Sequence, residues 1–386
     1  MQEKNSGRRA LLRGTAVAAG AVVAAPFVGG ASPAEAATTS GLPWVGPAGS
    51  GATWEVNATA GAQEAINTAL NAVGPQGAVF VAAGTYTVKA PIVLLDKQTL
   101  VGAGPLSTLL KAGSGFTGGA MVTTDAASNN ARMCVRDIGL DGAGLAANGV
   151  NLQIASKPAP YAPDPAPWLC RVFVANTTSD GIYLGGTYSG GQREFKLTDC
   201  RVEKAGGWAY NLQSSDGFVS GCSAQGGASG GYLVGGGNIK MWGCKAYGTG
   251  SGAEPGPAFK VASSRATIVG CEAQDTYGCG FEVSGRGSTL SGCTADSTGV
   301  GAVGKDRYSA GFYVDTSVVN IEGCSYQRAG GGASWLGADG MRWALYLYNS
   351  PDYLSVRLVS DPNRSVPFQG TVFGTAGTHS SISVLG

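Results

Sequence analysis

The sequence predicts an all-β solenoid: a right-handed parallel β-helix of about 22-residue coils, three short strands per coil, with a short capping helix at its N-terminal end. Three observations predict it. Six cysteines recur in one frame, at Asp199-Cys200, Gly221-Cys222, Gly243-Cys244, Gly270-Cys271, Gly292-Cys293 and Gly323-Cys324, spaced 22, 22, 27, 22 and 31 residues apart. Apolar residues alternate at period two around that frame, coil after coil, as in strands with one face in a core and one in water. Glycine supplies 64 of 386 residues without a triplet period, which excludes collagen and fits short strands joined by tight turns.

The first 36 residues read as an export signal. Arg8-Arg9-Ala10-Leu11-Leu12-Arg13 precedes an apolar run from Ala16 to Val28, and Ala34-Glu35-Ala36 offers a cleavage site. The paired arginines resemble the twin-arginine type; Gly7 stands where Ser or Thr is usual, which leaves ordinary secretory export as the alternative. The run is short and rich in Ala and Gly for a membrane helix, and no later segment would span a bilayer. The expected product is a secreted bacterial protein of about 350 residues beginning near Ala37, with no membrane association after cleavage. A formal net charge of +1 argues against nucleic acid as the main partner.

Residues 37–130 hold the cap and first coils. A helix is expected over 59–74, capped by Thr59, with Ile66, Leu70 and Val73 on one face and Gly74-Pro75 as its stop. Strands are expected at 78–81, 85–88, 92–95 and 99–102, each short, β-rich and bounded by Gly or Pro. A helix at the head of a strand stack would cover an end that is otherwise open.

Residues 131–350 hold the central coils, and 351–386 the last coils and cap. The cysteine position is matched upstream by Ile138 and Val172. A second strand begins about ten residues later, with inward residues Val150, Ile182, Tyr210, Tyr232, Phe259, Phe281, Phe312 and Leu345. A third strand precedes each cysteine, turning Leu197, Val219, Met241, Ile268, Leu290 and Ile321 inward. Nine cysteines in an exported chain would ordinarily suggest disulfides. The periodic frame instead stacks six thiols about 4.8 Å apart as a reduced internal ladder, leaving Cys134, Cys170 and Cys279 outside it. A leucine-rich repeat is excluded, since its leucines and asparagine ladder are absent.

This pattern resembles the pectate-lyase-like superfamily of secreted right-handed β-helix proteins, which includes polysaccharide lyases and related glycoside hydrolases. The opening from Ala62-Gln63-Glu64-Ala65-Ile66-Asn67 to Gly77-Ala78-Val79-Phe80-Val81-Ala82-Ala83-Gly84-Thr85-Tyr86 adds to the likeness, which covers residues 55–385. The resemblance implies a polysaccharide or oligosaccharide as partner, and oligomers through packing of β-helix flanks. It implies Ca2+ as cofactor if the protein is a lyase. Asp141 and Glu203, in one outward column but separated by Ala175, would lie about 10 Å apart, too far for one ion. Asp137 with Asp141 or Asp199 is the remaining candidate. The paired Asp-Asp and Gly-His-Gly of the polygalacturonase type are missing, the one histidine being His379.

The outward series on the second strand carries the candidate chemistry. Lys260 and Glu282 fall on adjacent rungs, Asp315 one coil beyond and slightly along, with Tyr313, Tyr346 and Tyr348 following. Two carboxylates several ångströms apart suit glycosidic chemistry, one donating a proton and the other activating water or a sugar carbon. Lengthened turns at 248–257, 297–310 and 328–343, and a Pro-rich insertion at 157–167, would wall this face. The second of these loops supplies Asp306 and Arg307, the third Trp335. In a hydrolase, Glu282 and Asp315 form the acid/base pair, with Asp306 as substitute. In a lyase, Lys260 or Arg307 takes the proton. Arg307, Trp335 and the three tyrosines would hold sugar. Alternatives stand beside this: a solvated strand face, a non-catalytic carbohydrate-binding or cell-surface protein, and an epimerase or fructan-rearranging enzyme on the same scaffold.

Overall fold

Each coil is laid on the one before it in register, with a shift between Glu322 and Cys324 where that strand pairs with Leu354–Ser360. The computed structural model describes residues 43–57, 59–124, 132–153, 167–185, 194–300, 306–327, 333–334, 337–338, 342–360 and 370–385. Every pairing between coils is parallel, and the two-stranded pair Ala333–Ser334 with Gly337–Ala338 is the antiparallel exception among the described residues. The first and third strands of the coils form a 21-stranded sheet that bends at the cysteine corner, and the second strands form an 11-stranded sheet facing it.

The predicted inward columns are the observed ones. Ile182 pairs with Tyr210, Tyr210 with Tyr232, Tyr232 with Phe259, Phe259 with Phe281, and Phe281 with Phe312. The five rings from Tyr210 to Phe312 stack with centroids 4.6, 4.8, 4.8 and 5.1 Å apart and planes within 8° of parallel. Both tyrosine hydroxyls in the stack find backbone acceptors: Tyr210 donates to the carbonyls of Cys200 and Ser223, and Tyr232 to that of Lys245. That satisfies the polar tips of otherwise apolar rings.

Corners explain the cysteine frame. The residue before each marker position sits in the left-handed region: Asp137, Arg171 and Asp199 upstream, then Gly221, Gly243, Gly270, Gly292 and Gly323, all with φ between 50° and 62°. A left-handed residue there bends the chain so that the next side chain, the thiol, turns inward. Glycine meets this need without the cost of roughly 1–2 kcal/mol that a Cβ incurs. The ladder from Cys200 to Cys324 is buried, and all nine cysteines are free thiols. Cys134, Cys170 and Cys279 lie outside the ladder, Cys279 in a small cluster with Ala310 and Tyr313.

The helix α1, Ala62–Val73, starts three residues later than expected. Thr59 does not cap it. The residue before the helix is Gly61, with φ 95°, and no side chain caps the first turn. The side chain of Gln63 instead donates to the carbonyl of Ala60 and accepts from the backbone N–H of Lys89, tying the start of α1 to the first coil. Gln98 closes the other end by donating to the carbonyls of Leu70 and Gly74. Ile66, Ala69 and Leu70 are wholly buried over the mouth of the solenoid, so α1 is a plug. Among the described residues no helix is long and apolar enough to cross a membrane.

Gly270 has φ 59° and open space around the position of a Cβ, so Gly270→Ala isolates the backbone term. It should lower unfolding free energy by about 1–2 kcal/mol, and Gly270→Asn by less, in denaturant titrations. Thiol titration of the denatured protein should return nine thiols, with the ladder thiols unreactive until unfolding.

Candidate functional site

A cleft of about 580 Å³ opens on the second-strand face. Lys260, Glu282, Tyr313 and Asp315 form its floor. Their convergence follows from register: Lys260 is opposite Glu282, and Glu282 opposite Tyr313, on three successive rungs, with Asp315 two residues past Tyr313. Outward side chains on adjacent parallel rungs are about 4.8 Å apart, which brings the Lys260 ammonium within 2.8 Å of Glu282 Oε1. The pair is partly sheltered, with side chains 36% and 17% exposed.

Two loops raise the walls. Gly252–Pro257, in the lengthened turn expected at 248–257, lines one side. It lies flat on the preceding coil, where Gly250 and Gly252 donate to the carbonyls of Gly227 and Ala228. A short 3₁₀ turn, Asp306–Ser309, brings Arg307 and Tyr308 to the opposite side. The Arg307 guanidinium donates to the Tyr308 hydroxyl and rests over that ring, 4.4 Å from its centroid. That hydrogen bond, with weaker help from Tyr313 and Glu282, raises the guanidinium above its ordinary value, so it stays charged.

Electrostatics separate the two carboxylates. Burial pushes Asp315 above the usual carboxylate range and the nearby Glu282 charge adds to this; Arg307 and a hydrogen bond with Asn349 pull the other way without reversing it. Burial, then the Asp315 and Glu282 charges, also push the Tyr313 phenol well up. Behind Tyr313, burial raises the Cys279 thiol far above its ordinary value, and the sulfur is packing.

The other sequence-selected residues lie apart from this floor. Tyr346, one rung beyond Tyr313, stacks on it at 5.5 Å and on Phe373 at 4.4 Å, so it buttresses the site from the side. Tyr348 is exposed, 6.3 Å from Tyr313, beyond the cleft edge. Asp306 is the first residue of the 3₁₀ turn, and its side chain is outside the described residues. Trp335 lies outside them too, as do 301–305, most of 328–343, most of the Pro-rich insertion and the export segment. Asp137 receives both Nε and Nη2 of Arg171, and Asp141 accepts from Asn176 with Lys111 3.6 Å away. Among the described residues no group of three His, Cys, Asp or Glu is placed to hold a metal ion.

Trp208 and Glu254 also line the cleft. Sequence reasoning passed over Trp208. Its backbone N–H donates to Asp180 Oδ1 at 2.8 Å, while Asn211 donates to Oδ2 of the same carboxylate. Its indole lies across Gly230 on the next rung, where any Cβ would collide with it. The available signal was this large-over-small pairing at a spacing of 22, one column before the aromatic stack.

The family of right-handed β-helix regions matches the sequence over residues 171–325. Comparison with curated proteins finds no match. Solved structures match over most of the chain. The enzymatically active domain of tailspike protein 2 from bacteriophage CBA120 is 15% identical, with a TM-score of 0.65 over 88% of this chain and 51% of that one. The A-modules of two mannuronan C-5 epimerases from Azotobacter vinelandii, each 15% identical, give TM-scores of 0.53 and 0.54. These cover 84% and 83% of this chain, and 94% and 95% of theirs. The chain therefore has the right-handed parallel β-helix fold.

Proposed function

We propose that the protein is a secreted carbohydrate-active enzyme that hydrolyses glycosidic bonds of an extracellular polysaccharide or oligosaccharide in the cleft between Trp208 and Asp315. One observation carries this reading: two carboxylates in unlike electrostatic settings share a floor with Lys260 and Arg307. The export signal read in the first 36 residues would deliver the enzyme to its substrate. The likeness of fold to epimerases named for mannuronan, a polysaccharide, is in keeping with it.

Roles follow from the settings. Glu282, salt-bridged to Lys260, is the carboxylate that activates water. Asp315, raised by burial and by Glu282, holds a proton to higher pH and donates it to the leaving oxygen. Their backbone positions are one rung and two residues apart, a diagonal of about 8 Å. That leaves room for a water between the carboxyl groups and favours inversion. Trp208 offers an aromatic face for a sugar ring at one end, and Arg307 a charged donor above the floor.

The lyase alternative meets two obstacles. It needs Lys260 or Arg307 to accept a proton, yet the Lys260 ammonium donates to Glu282 and the guanidinium is held charged by Tyr308.

A polysaccharide panel should yield new reducing ends without the ultraviolet absorbance of unsaturated uronates, and proton NMR should show inverted anomeric configuration. Glu282→Gln and Asp315→Asn should each cut turnover roughly 10²- to 10⁴-fold with folding intact. Full activity in both, or an unsaturated product, sinks the hydrolase reading.

Asp315 also predicts a pH dependence of stability. Its folded-state value is raised, so the protonated form is favoured by folding; this contribution is complete below the unfolded-state value and lost as pH rises through the folded one. Asp315→Asn should therefore melt slightly higher than wild type at neutral pH, with the gap closing as pH falls into the carboxylate range.

A further inference from the structure

We propose that a second surface, on the third-strand face and separate from the cleft, binds an anionic polysaccharide. Two outward columns define it. One reads Trp168, Lys196, Phe218 and Lys240 from rung to rung. The other reads Arg136, Cys170, Thr198, Ser220, Trp242 and Val269. Trp168, Phe218 and Trp242 are 43%, 41% and 46% exposed, and Phe218 meets Trp242 edge to face at 6.2 Å. Three large aromatic rings left in water along one strip of sheet mark a binding face.

The charges among the rings identify the partner. Lys196 follows Trp168 by one rung and Lys240 follows Phe218 by one rung, with exposed Arg136 at the N-terminal end. Neither column carries an Asp or Glu from Cys134 to Val269. Four acids border the strip: Asp137 is held by Arg171 and Asp216 accepts from Asn238, while Glu194 and Asp199 flank Lys196 and Thr198. Ring and cation thus alternate with a repeat of two rungs, roughly 10 Å. Acidic pyranose chains offer apolar C–H faces to the rings and carboxylates to the cations. A base stack, at about 3.4 Å per step, falls out of phase with the rungs. A second copy docked through this face by a two-fold axis would set the cation strip against itself.

Affinity electrophoresis and calorimetry on the mature full-length protein test the assignment, with polygalacturonate and alginate as polyanions, and dextran and oligo-dT as controls. Polygalacturonate or alginate should bind, more weakly as salt rises, and dextran should not. Trp168→Ala and Trp242→Ala should each weaken binding about tenfold without changing the melting temperature, and Lys240→Gln should flatten the salt dependence. Four results overturn the proposal: no polyanion binding, or binding indifferent to both tryptophan variants; equal binding of dextran; tighter binding of oligo-dT; or a concentration-dependent dimer abolished by Trp242→Ala.

Discussion

Parallel backbone hydrogen bonding between equivalent positions of successive coils is the constraint on which the molecule depends. In such a stack a residue has no private environment: it must fit the residues directly above and below at about 4.8 Å. Inside, that selects like on like, hence the ring stack from Tyr210 to Phe312 and the buried column from Cys200 to Cys324. A slip of one residue would put the whole inward series into water, so the register is held by the core itself. The left-handed corners hold it a second time. They recur before the marker thiol, again four residues after it at Asn176, Lys204, Gly226, Gly248, Asp275 and Ser297, and again before the third strand at Asp216, Asn238, Arg265 and Gly287.

The same constraint builds the cleft. Residues 22 to 31 apart in sequence are forced side by side on the outer face, so Lys260, Glu282 and Tyr313 meet without any local motif. The lengthened turns at 248–257, 297–310 and 328–343 all fall at the corner between first and second strands, where they leave the ladders intact. Loops from several coils therefore accumulate along one edge and wall one face. The Trp208 platform needs three coils at once: a carboxylate at Asp180 to fix the backbone, the indole, and a glycine at 230 to let it lie down.

Legibility in the sequence tracks how far a feature is periodic. The inward columns and the adjacency of Lys260, Glu282 and Tyr313 could be read because period two within strands and the coil spacing together determine a two-dimensional lattice. The corners were half legible. Glycine announces eight of them, but Asp199, Lys204 and Arg265 adopt the same conformation with no compositional mark. Features that occur once were lost. Thr59 looked like a cap because capping is read from local sequence, whereas the long-range contacts of Gln63 decide where α1 begins. The strands Trp44–Gly46 and Trp54–Glu55 are too short to show alternation and exist through pairing with each other and with Ala78–Val81.

The division of labour between Glu282 and Asp315 comes from neighbours that are themselves fixed by register. Two carboxylates on a strand face in open water would titrate alike. Here the Lys260 ammonium on the preceding rung pairs with Glu282, while burial, and after it the Glu282 charge, raises Asp315. Arg307 opposes that rise from the loop wall. In the hydrolase proposed, acid and base would follow from the order of side chains along the solenoid axis, and a scaffold of repeated coils can change its chemistry by exchanging outward residues while leaving every inward column untouched.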